Sequence, residues 1–328
     1  MTSISKSVTK RLRQQSAAPS LREQYEIWFQ KGLTRNRSPF RPETAKSYKS
    51  QLEKNVLPFI GNFPLDTVGN TVLKDLAAAL KQQGLSPATI TRNLNNVKDI
   101  RASAKNQDGE QLYPYVWDTD FIDAPIIDKK QQRRPIASAQ AVSDAIKCTS
   151  GPMRALVALL AGSGLRVNEA LAVTITAHPD NGWGTVWLPE QSKIIVRTQR
   201  SGGYLTGGKT VPVKTEAGNR EVDLAPELNE FLSKTLSDNG LGTQFLKSEG
   251  FYRQELVKCG ILGGFHSLRR FRVTHLRLQG VPDALIHFWV GHEDSTVTGR
   301  YTEVGPEIEA RKLQAARAGL GFTLPEAS

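Results

Sequence analysis

Four segments in the second half of the chain carry the side chains best able to do chemistry. In "GSGLRVNEAL", Gly162 and Gly164 open a helix holding Arg166 and Glu169 at i, i+3. In "PVKTEAGNREVDL" a hairpin arm bears Lys214, and in "HSLRRFRVTHL" a helix sets His266 and Arg269 one turn apart. In "VGHEDSTVTGRYTEV", His292 precedes Tyr301 by nine residues. Arginine forks clamp anionic oxygens in pairs, histidine and lysine exchange protons, and a tyrosine hydroxyl is a nucleophile once deprotonated. Taken singly, each has a plainer reading: Arg166 or Arg269 as a surface ion pair, Tyr301 as a packing residue. His275 and His287 read as structural or solvent-facing, and Trp289 as a core residue of the helix ended by Gly291. The histidines lack close ligand spacing and a neighbouring cysteine, so no metal site is expected.

A different chemistry is suggested by "GYLTGGKT", residues 203–210, which fits the phosphate-loop pattern G-x-x-x-x-G-K-[ST]. That pattern works only where a strand runs into a helix whose N–H groups hold phosphates. "KIIVRT" supplies a strand, but Pro212 and Gly218 follow where the helix should grow, and Val211, Val213, Val222 and Leu224 alternate at strand period. The stretch therefore reads as a β-hairpin with a long tip, and no nucleotide or other cofactor is expected. Nor is "GSGLRV" a dinucleotide fingerprint, because Val167 occupies the third glycine position.

In order and spacing the four segments resemble the arginine, lysine, histidine-x-x-arginine, histidine and tyrosine boxes of the tyrosine recombinases, the phage-integrase family. The first half, notably "VLPFIGNFPLDTV" and "GLSPATITRNL", resembles that family's helical core-binding domain, and the likeness spans roughly residues 20–310. The resemblance implies that Tyr301 attacks the scissile phosphate to form a 3′-phosphotyrosine, later reversed by a second DNA hydroxyl. Arg166 and Arg269 would clamp the nonbridging oxygens, where negative charge concentrates in the transition state. A tyrosine of pKa ~10 must lose its proton and the departing 5′ oxygen must gain one. By resemblance Lys214 is the general acid, His266 assists proton transfer, His292 hydrogen-bonds the phosphate and Glu169 orients its neighbours. Lys209 competes for the lysine role. Lys214 is favoured because Lys-Thr, a short turn, Arg and alternating apolar residues match "KTEAGNREVDL". The preceding hairpin is long for the family, and no further N-terminal domain is expected ahead of residue 20.

The elements that must position these residues form a mostly α chain with a small β-sheet and hairpin in its second domain. Residues 1–18 read as a disordered basic arm, and 19–105 as a helical core-binding domain. Its helices show Leu21, Tyr25 and Trp28; then Tyr48, Leu52 and Val56, stopped by Pro58 and Gly61; then Leu73, Leu76 and Leu80. A fourth has Ser86 as its cap, Pro87 at its first position and Ile90, Leu94 and Val97 inside. Its polar face offers Thr91, Arg92, Asn95 and Lys98 to phosphates and base edges, with Lys209 as a further candidate contact; a solvated face is the alternative. Residues 106–134 read as an interdomain linker with some local structure, and 135–328 as an α/β catalytic domain with a C-terminal helix. The two domains together would form a DNA clamp.

Composition agrees with this partner. A net charge of +11 and a pI near 9.6 favour a polyanion over a membrane surface, since no segment pairs a basic face with a strong apolar one. Only Cys148 and Cys259 occur, far apart in sequence, so no disulfide framework is expected and the compartment reads as cytoplasmic, with the nucleoid as its place. The family implies double-stranded DNA as partner, a homotetramer assembled on two sites, and accessory DNA-bending or directionality proteins. Two rivals stand beside recombination: a type IB-like topoisomerase of the same chemistry, and a non-catalytic DNA-binding module retaining the fold.

Overall fold

The structure, a computed structural model, describes residues 17–128, 135–175, 184–201, 209–213, 216–237, 245, 247–292 and 305–325. The chain divides into two units, 1–132 and 133–328. Lys214 and Tyr301, with the basic arm as far as residue 16, lie outside the described residues.

The first unit is helical because its apolar residues recur at helical spacing behind well-defined caps. Helix α1 (Leu21–Thr34) begins at a capping box in which the Glu23 N–H donates to Ser20 Oγ and the Ser20 N–H donates to the Glu23 carboxylate. Helix α2 (Pro42–Asn55) buries Leu52 and is followed directly by the short α3 (Leu57–Ile60). Pro58 thus bends the chain without stopping it, since a proline in a first turn forfeits no helical hydrogen bond. Helices α4 (Asn70–Gln82) and α5 (Pro87–Ala102) add Leu73, Leu76, Leu80, Ile90, Leu94 and Val97 to one core.

The stretch expected to be a linker from residue 106 carries packed structure as far as 128. The Leu112 N–H donates to Ala104 O at 2.8 Å, and the Asn70 N–H donates to the Tyr115 hydroxyl at 3.1 Å. Asp118 caps the short α6 (Thr119–Ile122), whose Ile122 is buried in the same core. The buried Arg101 donates to the carbonyls of Val68 and Tyr113 and lies 4.5 Å from the Tyr115 ring centroid. Gly, Pro and Asp make this segment look like a loop, while its aromatic residues fasten it to α4 and α5.

In the second unit the helices are α7 (Ala139–Cys148), α8 (Gly151–Ser163), α9 (Val167–Ala170), α10 (Pro226–Ser237), α11 (Glu249–Lys258), α12 (Phe265–Leu278), α13 (Asp283–Val290) and α14 (Ile308–Ala318). Helix α8 is the centre: every residue from 155 to 163 is buried, and α7, α10 and α12 pack around it. The strands are β1 (Val173–Thr174), β2 (Thr185–Leu188), β3 (Lys193–Val196), β4 (Thr198–Ser201), β5 (Lys209–Pro212) and β6 (Arg220–Asp223). They form a sheet in the order β1-β2-β3-β6, with β1 parallel to β2 and the other pairs antiparallel, and a separate antiparallel hairpin β4-β5.

This arrangement decides the phosphate-loop question. Lys209 and Thr210 open β5, opposite Ser201 and Arg200, where a nucleotide site would need a helix. Residues 203–208 lie outside the described ones. The "PVKTEAGNREVDL" segment is not one hairpin arm, because β5 pairs with β4 whereas β6 pairs with β3.

The fold brings the two cysteines near one another. Though 111 residues apart in sequence, their thiols interact, and burial together with Cys148 pushes the Cys259 thiol up to about 11. Both are free. Among the described residues no helix is long and apolar enough to cross a membrane, and no three His, Cys, Asp or Glu side chains could hold a metal ion.

Candidate active site

Gly162 and Gly164 do not open the helix that follows Arg166. Gly162 lies inside α8, and Gly164 ends it with φ of 72°, a left-handed conformation that glycine adopts without strain. The chain then turns so that Arg166 precedes α9 as its cap residue, with Glu169 in the first turn. The Arg166 N–H donates to Glu169 Oε2 at 2.9 Å, while Arg166 Nη1 donates to Glu169 Oε1 at 2.8 Å.

Glu169 is buried, and a second arginine grips it. Arg220, on β6, donates Nη2 to Glu169 Oε2 at 2.8 Å and Nη1 to Oε1 at 3.2 Å. Burial alone would raise the Glu169 pKa, but the hydrogen bonds and charges of Arg220 and Arg166 outweigh it and hold the carboxyl below its usual range. Glu169 is therefore ionised and paired.

The end of α13 collects three arginines. Successive carbonyls there each accept from a different guanidinium: Trp289 O from Arg220 Nε at 2.7 Å, Val290 O from Arg269 Nη2, and Gly291 O from Arg166 Nη2 at 3.1 Å. A helix C-terminus leaves such carbonyls unsatisfied and carries negative partial charge, so cations are favoured there. Arg269, on α12, also donates Nη1 to Gly164 O at the end of α8. The orientation of both site arginines is thus set by helix ends. Arg269 commits two of its five N–H donors to such carbonyls, and Arg166 commits one there and one to Glu169.

Gly291 makes the convergence possible. Its φ is 65°, and a Cβ there would lie 2.9 Å from both the Ala217 carbonyl and Arg220 Nη1. No other residue fits that corner. The His292 N–H donates to His287 O, closing the turn that follows α13.

The charges do not balance. Arg166, Arg220 and Arg269 share one carboxylate, Glu169, in the network described. Burial and then the positive charge of Arg166 push Arg269 down to about 9. His266, in the first turn of α12, is held below its usual value by partial desolvation and by Arg269, Arg270, Arg166 and Arg253. His292 is lowered by desolvation and by Arg269, Arg166, His287 and Arg220. Both rings reach the surface. A cluster of exposed imidazoles, the part-exposed Arg166 and the buried Arg220 and Arg269, with surplus positive charge among the described residues, is suited to an anion.

Of the residues expected at the site, Arg166, Glu169, His266, Arg269 and His292 are brought together. His275 is elsewhere, with Nε2 2.7 Å from Ala318 O and its ring stacked on Phe271. His287 stands between the two descriptions, its ring centroid 6.1 Å from that of His292. Trp289 is buried, its indole N–H donating to Asp223 Oδ2 at 2.8 Å. Arg220 is the residue that the sequence did not single out. Its signal was present in "KTEAGNREVDL", but only the tertiary fold brings β6 to Glu169 and the end of α13.

In the first unit, Thr91, Arg92, Asn95 and Lys98 share the outer side of α5. Arg92 and Asn95 are exposed, the Thr91 hydroxyl donates to Pro87 O at 3.0 Å, and the Lys98 ammonium lies 5.4 Å from the Trp117 ring centroid.

No protein-family model matches the chain, and no curated protein does. Solved structures do. The Tn1549 transposon integrase in complex with transposon right end DNA aligns with a TM-score of 0.66 at 18% identity, over 89% of this chain and 98% of that one. A lambda integrase dimer bound to a COC′ core site aligns with a TM-score of 0.58 at 14% identity, over 91% and 81%. A lambda integrase tetramer bound to a Holliday junction gives 0.57 at 14% identity. These neighbours are tyrosine recombinases of the phage-integrase family, and the fold of this chain is theirs.

Proposed function

We propose that the chain is a site-specific DNA recombinase that cuts and rejoins DNA through a 3′-phosphotyrosine. The observation that carries this reading is the Arg166–Arg269 pair, anchored on the ends of α8 and α13 with positive charge in excess of its one carboxylate. Such a pair meets the charge that a phosphoryl-transfer transition state places on its nonbridging oxygens. Support also comes from the fold, since the integrases that share it are seen in complex with DNA, and from the net charge of +11.

In this reading the Tyr301 oxygen bonds to the scissile phosphorus as the bond to the 5′ oxygen breaks, and Lys214 gives that oxygen a proton. His266 assists the proton transfers, His292 hydrogen-bonds the phosphate, and Glu169 orients Arg166. A 5′ hydroxyl of a second strand then reverses the step, which conserves the energy of the phosphodiester. Thr91, Arg92, Asn95, Lys98 and Lys209 contact the duplex, and four subunits assemble on two sites.

The test is trapping on a nicked suicide duplex, from which the short 5′-hydroxyl fragment diffuses away. The whole chain should become covalently linked to the DNA, and Tyr301→Phe should bind the duplex without linking. Undiminished trapping by the variant would overturn the assignment of the nucleophile.

A further inference from the structure

Arg220 is the most enclosed charge beside the site, with its side chain 1% exposed. Its side-chain hydrogen bonds to Glu169 and Trp289 go to groups that hold other parts of the site. Its Nη1 and Nη2 grip both oxygens of Glu169, the carboxylate that accepts Arg166 Nη1 and the Arg166 N–H. Its Nε holds Trp289 O, two residues before the carbonyl that receives Arg166 Nη2. Its Nη1 also donates to Gly218 O at 2.9 Å, tying down the turn that leads into β6. Arg166 is therefore anchored at two points, and Arg220 braces both.

We infer that Arg220 is a positioning residue for strand transfer, which sets the Arg166 guanidinium against the scissile phosphate without touching DNA. The inference rests on the function proposed above. The planar fork is what the geometry requires, because it satisfies two carboxylate oxygens and a carbonyl from one rigid group. A lysine ammonium keeps the charge but presents it as a single point. Gly291 belongs to the same device: a side chain there would displace Arg220 Nη1.

The alternative is that Arg220 only neutralises a buried carboxylate and so supports folding. Substrate charge separates the two. Replacing one nonbridging oxygen of the scissile phosphate by a methyl group removes the negative charge that Arg166 would meet. The whole chain, Arg220→Lys and Arg166→Ala are each compared on a phosphodiester and a methylphosphonate suicide duplex in single turnover. Arg220→Lys should cleave the diester about 10- to 100-fold more slowly, by analogy with the loss when the hydrogen-bond partner of a metal-binding side chain is removed. On the methylphosphonate that deficit should shrink to about 2-fold, and Arg166→Ala should move the same way, as expected if both act on the same transition-state charge. Both substrates are cleaved by one sample, so a smaller folded fraction cancels from the ratio. An equal deficit on both substrates, or none, would overturn the inference. If the unaltered chain links to neither duplex, the proposed function itself fails; if it does link, only the role of Arg220 is at stake.

Discussion

His266 and His292 report most directly on the field inside the site. Both are held below the ordinary histidine value by desolvation and by the surrounding arginines. Between their folded midpoints and about 6.5, the unfolded chain binds more protons than the folded one. Stability therefore rises with pH across that window and falls on acidification through it. An anion seated between Arg166 and Arg269 cancels part of the field, so it should raise both midpoints. Following the two C2–H resonances by NMR with and without sulfate checks this: midpoints that start below 6.5 and move upward agree, and midpoints indifferent to sulfate do not. At this scale much of the site was readable from sequence, because His266 and Arg269 need only one helical turn to stand together. Arg220 was not, since its importance depends on three partners, Glu169, Gly218 and Trp289, of which two are more than 50 residues away.

Elements meet at the C-terminal helix. Arg311 of α14 donates Nε to Asp223 Oδ2 at 3.0 Å and Nη2 to Glu221 Oε2 at 2.6 Å, and its guanidinium lies 4.9 Å from the Phe288 ring centroid. Asp223 is buried and also accepts the Trp289 indole N–H. In this structure α14 thus docks on β6 of its own chain. Arg311→Ala would leave the Asp223 carboxylate buried without its cation, at a cost of about 3–5 kcal/mol. Urea unfolding should show a loss of that order, with faster proteolysis between 305 and 325. A midpoint within error of the unaltered chain would contradict the role given to this contact. Periodicity made the helix itself legible. Its docking was not, because one arginine among several becomes an anchor only where β6 presents two carboxylates.

For the molecule as a whole, the division between units at 132/133 falls inside the stretch 106–134, whose first part packs on the first unit. Tyr113, Trp117 and Ile122 are apolar payload in a segment whose glycine, proline and aspartate read as loop. A fragment of residues 17–128 should unfold cooperatively, and one ending at 105 should be destabilised by the loss of Ile122 and of the cover over Arg101. Equal urea midpoints for the two would contradict the placement. The longer fragment should also bind duplex DNA with a shallower slope of log affinity against log salt than the full chain, because fewer phosphates are neutralised.

The proposed reaction joins Tyr301 to DNA. The most direct measurement is to trap the full chain on a suicide duplex in EDTA without nucleotide, digest the product and identify by mass spectrometry the peptide carrying the DNA. A 3′-phosphotyrosyl bond on the peptide containing Tyr301 is the expected product. DNA attached through another residue, or attachment that appears only when ATP is added, would contradict it.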